Sequence, residues 1–153
     1  MNRYGCIHGH FYQPPRENPW LEYVEVQDSA HPYHDWNERI TAECYAPNGR
    51  SRILNDEGKI AELVNNYSWM SFNVGPTLLA WLAEQAPNVY RTILEGDLES
   101  AQRFSGNGSA LAQAYNHIVL PLANQRDITT QVIRGHEEFN TRFKREPEGM
   151  GLP

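Results

Sequence analysis

The chain has 153 residues, 40% of them hydrophobic and 21% charged, which is enough for one sizeable core and too short for two ordinary domains. Lys and Arg number 13 against 19 Asp and Glu, a net charge of -6, so there is no basic field to hold a phosphate backbone and nucleic acid is not expected as a partner. The two cysteines, Cys6 and Cys44, cannot form a disulfide framework and fit no zinc spacing. The first six residues lack the apolar stretch of a signal peptide, and no run of about 18 apolar residues occurs. A soluble cytoplasmic protein with no membrane partner is expected.

Residues 4–8 are short, partly apolar and followed by Gly9, which predicts a first strand ending where polar side chains begin. Residues 11–34 carry Pro14, Pro15, Pro19 and Pro32 among aromatics and charges, and no helical or alternating period survives them. The interleaved Phe11, Tyr12, Trp20, Tyr23 and Tyr33 predict an ordered lid or wall. Asp35 then reads as an N-cap, with Glu38 completing a capping-box pattern, and a helix from Trp36 to about Tyr45 follows. Residues 60–66 fit either a short strand or a helical turn. A second strand is expected over residues 69–74. Pro76 suits a first helical turn and opens a helix to Gln85. Pro87 opens another, with Val89, Tyr90, Ile93, Leu94, Leu98 and Phe104 on an amphipathic period until residues 105–108 break it. Residues 118–122 are a third strand or a bend, because Pro121 interrupts them. Asp127 opens the last helix, and Glu146-Pro147 closes it. Strands alternating with longer helices predict an α/β fold with a parallel sheet, whose chemistry would lie on loops after the carboxyl ends of strands.

The densest polar cluster follows the first strand: His8-Gly9-His10-Phe11-Tyr12-Gln13-Pro14-Pro15-Arg16-Glu17. If the strand continues through them, His8 and His10 point the same way, since side chains alternate with a period of two. Three uses fit. A metal site would take both imidazoles plus His117, Asp35 or Glu38. A sugar site would use the imidazoles and the Gln13 amide for hydroxyls, with aromatics on ring faces. The third use is a histidine pair that satisfies backbone groups at a strand end. Gln13, the double proline and the aromatic loop favour a ligand site. His117 and the Asp35-Trp36 pair are weaker candidates, explained about as well by local hydrogen bonding, capping and packing. Asn73 and Thr77 flank Gly75-Pro76 after the second strand, a position where a polar loop could face a pocket, though turn chemistry also suffices. Trp69, Trp81 and Phe72 are expected in the core. No G-x-S-x-G, Walker A, G-x-G-x-x-G or H-E-x-x-H motif is present, and no spacing singles out a pair of catalytic carboxylates.

The segment from His8 to Glu17, then Tyr33-His34-Asp35-Trp36-Asn37-Glu38-Arg39-Ile40, Phe72-Asn73-Val74-Gly75-Pro76-Thr77-Leu78-Leu79 and Tyr115-Asn116-His117-Ile118-Val119-Leu120-Pro121-Leu122, resembles the amino-terminal part of glycoside hydrolase family 57. The motifs keep their order across essentially the whole chain. The closing Glu148-Gly149-Met150-Gly151-Leu152-Pro153 is similar to the approach to that family's third motif. The resemblance implies a retaining α-glucan hydrolase or glucanotransferase on an incomplete (β/α)7 barrel with parallel strands, of which this chain supplies the amino-terminal portion. It implies a sugar subsite lined by His8, His10 and Gln13, with His117 also on the cleft. Asp35 and Trp36, inside the second matching segment, complete the substrate-binding candidates. An α-glucan or oligosaccharide is the implied partner, with no metal and no cofactor.

The family's nucleophile is a glutamate in the third motif and its general acid an aspartate much further along, so neither catalytic carboxylate is expected within these residues. The chain alone is then expected to show no turnover and to self-associate through uncovered sheet edges. Gly151 departs from the bulky aromatic that relatives often carry. Two other readings remain: a metal-dependent hydrolase or deacetylase with His8 and His10 as ligands, and a non-catalytic carbohydrate-binding module.

Overall fold

A computed structural model describes residues 3–152; Met1, Asn2 and Pro153 lie outside the described residues, so the closing run is seen only as far as Leu152. Four parallel segments carry the architecture. Strand β1 (His8–Phe11) pairs with β6 (Ser71–Val74), and β7 (Ala112–Gln113) pairs with β8 (Met150–Gly151). A parallel bridge between Phe72 and Ala110 joins the two pairs. Leu111 N–H donates to the Phe72 carbonyl at 2.7 Å, which continues β6 into the approach to β7. Each crossover between neighbours contains helix, as parallel pairing requires.

β1 lies three to four residues beyond the expected 4–8. Tyr4 and Ile7 are 89% and 75% exposed, and the strand instead runs through the polar residues, because pairing with β6 begins at His8 opposite Ser71. The long segment after β1 forms a small antiparallel pair, β2 (Glu17–Asn18) with β3 (Tyr23–Val24), with Trp20 exposed at its tip. Asp35 caps α1 (Trp36–Ile40), its Oδ1 accepting from Glu38 N–H at 3.0 Å. The Glu38 carboxylate closes the box one residue early, on His34 N–H.

The helix does not stop at Tyr45. A π-helical turn, Thr41–Tyr45, leads into α2 (Ala46–Gly49), and Ala46 N–H donates to the Thr41 carbonyl. Pro47 has no N–H to give an α-helical partner, and the wider turn absorbs that loss. Next comes an antiparallel hairpin, β4 (Ser51–Leu54) with β5 (Ile60–Val64), whose Asn55 side chain accepts from Glu57 and Lys59 N–H. Of this hairpin only the β5 region was a strand candidate from sequence.

α3 (Pro76–Gln85) and α4 (Pro87–Arg103) start at their prolines as expected. The apolar stripe of α4 holds at Ile93, but Leu98 and Phe104 are exposed while Asp97 and Ser100 are buried. Asp97 occupies the interior because Arg145 and Ala110 N–H bind its carboxylate. Residues 118–122 bend, with a 3-10 turn over Leu120–Leu122. α5 (Gln125–Phe143) begins ahead of Asp127, with Asn124 as its cap. Its buried residues are Gln131, Gly135 and Phe139, spaced four apart on one face.

The core sits between the strands and the helices, with Tyr67, Phe72, Leu82 and Ile93 fully buried. Phe11 lays its ring edge-on to Tyr45, Tyr67 and Phe72. Phe72 is core as expected, but Trp69 is 66% exposed, with the Arg103 guanidinium 3.7 Å over its ring. Among the described residues, no helix is long and apolar enough to cross a membrane.

Candidate functional site

Parallel pairing sets His10 opposite Asn73 and Gly9 opposite Phe72. His8, His10 and Asn73 therefore share one face, and Gly9, Phe11 and Phe72 share the other, toward the core. On the polar face His8 Nδ1 lies 2.9 Å from Ser71 Oγ, and His8 Nε2 lies 3.0 Å from Asn73 Oδ1. His10 Nε2 lies 2.7 Å from His117 Nε2. The Asn73 amide donates from Nδ2 to Gln113 Oε1 on β7.

His117 reaches the cluster from the turn after β7. Its backbone is left-handed, φ 54°, a conformation that costs a non-glycine residue on the order of 1 kcal/mol. The turn is held by its own His117 N–H to Ala114 carbonyl bond and by α5, where Gln131 accepts from Tyr115 N–H and Asn116 N–H. Tyr12, just past β1, stacks on the His117 ring with centroids 4.1 Å apart and planes 24° apart. Gly75 makes that possible, because a Cβ there would stand 2.7 Å from Tyr12 Cδ2. At the end of β8, a Cβ on Gly151 would point at the Asn73 amide from 3.5 Å.

Three imidazoles, a phenol and two carboxamides thus converge on one face of the parallel strands, from His8 at the start of β1 to His117 just beyond β7. Among the described residues no carboxylate hydrogen-bonds to His8, His10 or His117, so the cluster presents ring-nitrogen, hydroxyl and amide donors and acceptors with an aromatic face. Such a surface suits hydroxyl groups and sugar rings and supplies no acid of carboxylate type. Nor do three His, Cys, Asp or Glu side chains gather among the described residues to hold a metal ion.

Burial, and next the His10 ring beside it, holds the His117 imidazole below its ordinary value of 6.5. The unfolded chain therefore takes this proton at higher pH than the native one. The associated stability is fully present above the unfolded value and is lost as pH falls through the folded value. Thermal melts from neutral pH down to about pH 5 should show wild-type Tm falling more steeply than that of His117→Gln. Equal slopes would show that this ring carries none of the pH dependence.

The other sequence candidates lie elsewhere. Gln13 is buried, its amide donating to Tyr45 Oη at 2.9 Å and accepting from Arg16. Asp35 is engaged by its cap and by His34 Nδ1, and it borders a separate cleft of about 600 Å³ with Glu17, Glu38, Trp81 and Glu84. Trp36 donates from Nε1 to Ser29 Oγ and lies under Arg39. None of these three hydrogen-bonds to the histidine cluster. Conversely, Asn73, Gln113, Ser71 and Tyr12 belong to the cluster without having been singled out as binding residues. The signal for Asn73 was its place at a strand end beside Gly75-Pro76; for Gln113 the short Ala110-Leu111-Ala112 run gave little.

Parallel strands with helical crossovers and a polar cluster on one strand face define an α/β unit. The model of glycosyl hydrolase family 57 matches residues 5–153, and the chain belongs to this family. The fold is similar to that of the GH57-type branching enzyme from the hyperthermophilic archaeon Pyrococcus horikoshii, with a TM-score of 0.51 at 17% identity. That match covers 97% of this chain and 34% of the other, so the chain spans about a third of that enzyme's length. No curated protein matches the sequence.

Proposed function

We propose that the histidine cluster is part of the sugar-binding cleft of a retaining α-glucan hydrolase or glucanotransferase. The observation that carries the reading is the convergence of His8, His10 and His117 on one face of the strands, with Tyr12 stacked on His117. Polarised hydroxyls match imidazole and amide partners, and a pyranose face matches an aromatic one. Family membership supports glycoside chemistry, and the parallel strand order supports the early part of an incomplete β/α barrel.

In the whole protein the two-step reaction needs a glutamate that attacks the anomeric carbon and a carboxylic acid that protonates the leaving oxygen. Water or a second sugar then releases the glycosyl-enzyme. The residues described here contribute binding: the His117 ring edge turned away from His10 holds a hydroxyl beside the Tyr12 ring, and His10 holds His117 in place. Gln13 acts through Tyr45 and Arg16 by fixing the backbone after β1, whose Gln13 carbonyl accepts from Thr77 Oγ1 at 2.6 Å.

Titrating isotope-labelled chain with malto-oligosaccharides tests this. Signals of His10, His117 and Tyr12 should shift together on binding at millimolar sugar, and His10→Ala should abolish the shifts. Absence of any shift, or shifts confined to the Asp35 cleft, would overturn it.

A further inference from the structure

The Asn73 side chain stands where three strands meet. It comes from β6, touches both histidines of β1 and is tied to Gln113 of β7. At 2% exposure its amide cannot turn to solvent for partners. One Nδ2 hydrogen goes to Gln113 Oε1, an atom that only accepts, and this sets which way the amide faces. The other Nδ2 hydrogen and Oδ1 are both within reach of a single atom, His10 Nδ1, at 2.8 and 3.1 Å.

A ring nitrogen that faces both a donor and an acceptor can be served with or without its proton. When bare, His10 Nδ1 accepts from Asn73 Nδ2, and the ring proton sits on Nε2, aimed at His117 Nε2. When protonated, it donates to Asn73 Oδ1, and His10 Nε2 can accept from His117 Nε2–H. At an Nε2 to Nε2 distance of 2.7 Å only one proton fits between the rings. We propose that Asn73 is a positioning residue that keeps His10 and His117 joined through one shared Nε2 proton, both when the pair is neutral and when it carries one charge. In the singly charged pair both Nδ1 atoms are protonated and the bridge persists. A second charge would set N–H against N–H and break it.

Among the described residues, the titratable groups facing the pair are His8 from β1 and the Tyr12 phenol; β6, β7 and β8 bring Ser71, Asn73, Gln113 and Gly151, none of which titrates near neutrality. With the shared proton on His10 Nε2, a ligand would meet His117 Nδ1–H in the neutral pair and in the singly charged pair alike. The inference rests on the sugar reading only for the identity of that ligand.

The test uses the whole chain with 15N-labelled histidine and no sugar. Wild type should show a 15N–15N coupling across the hydrogen bond between His10 Nε2 and His117 Nε2. The coupling should survive the first protonation and vanish with the second. Asn73→Leu should abolish it and let the two rings titrate separately. Asn73→Asp, an acceptor alone, should raise the first protonation by about one unit or more. If Asn73→Leu does not fold, Gln113→Met removes the partner that orients the amide without touching a histidine, and should weaken the coupling likewise. No coupling in wild type, or coupling unchanged in either folded variant, would overturn the proposal. Because no sugar is present, failure of the glucan reading leaves these readouts unaffected.

Discussion

Arg145→Ala should cost the chain about 3–5 kcal/mol, the loss expected when one partner of a buried ion pair is removed. The guanidinium binds Asp97 twice, Nε to Oδ2 at 2.8 Å and Nη2 to Oδ1 at 2.7 Å, and also donates to the carbonyls of Ala110 and Glu146. The Asp97 side chain is 3% exposed. Without arginine the Asp97 carboxylate would remain buried with Ala110 N–H as its one surviving hydrogen-bond donor among the described residues. The loss is large against the roughly 5–15 kcal/mol that holds an ordinary domain together, and Tm should fall on the order of 10 °C. Arg145→Lys should recover only part of this, because an ammonium cannot pair with both carboxylate oxygens in the forked geometry. A melt that moves by a degree or two would show the pair to be dispensable. The same residue ties α4 to the connection before β8, so the variant should also loosen Gly151 from Asn73.

The second large effect is expected from Gly135→Ala. Gly135 lies on the buried face of α5, and a Cβ there would fall inside van der Waals contact with the carbonyl oxygen of Gln113. The obstacle is backbone, which has no rotamer to change, so the helix must withdraw. Overpacking of this kind costs about 1–3 kcal/mol and more where nothing can yield. Withdrawal would also pull Gln131 from the N–H groups of Tyr115 and Asn116, the bonds that hold the turn carrying His117. Calorimetry should register the lost stability, and the Tyr12–His117 ring-current shifts should diminish in NMR spectra. An alanine variant with unchanged Tm and unchanged His117 signals would mean that α5 has slack against β7.

The helices were legible where punctuation is local. Pro76 and Pro87 begin α3 and α4 because a proline suits a first turn whatever surrounds it. Asp35 acts as a cap for the same reason: the donor it accepts from, Glu38 N–H, is three residues away. The strands were harder. His8 and His10 looked like the end of a strand because polar residues usually mark a loop, yet here they are the strand, with their polar face turned to a site. The β4–β5 hairpin exposes Ile53, Leu54, Ile60 and Leu63, so it has no one-sided burial for a period to reveal, and its main local signal is the Asn55 turn. β7 spans two residues and exists through pairing with β8, which no window of its own sequence contains. The shared face of the two histidines followed from a period of two. Their partners did not, because Asn73 and His117 arrive from other strands.

The same separation shapes how the chain comes together. His10 and Asn73 are 63 residues apart in sequence, and His10 and His117 are 107 apart. Loop-closure entropy for both spans is spent before either contact returns anything, and parallel pairing of this range is slow. α3, α4 and α5 can gain local order early, whereas the imidazole cluster assembles only when the strands have found their register. A cluster closed by contacts 63 and 107 residues apart therefore marks a late stage of folding, and slow or arrested folding should leave it open while helicity is already high.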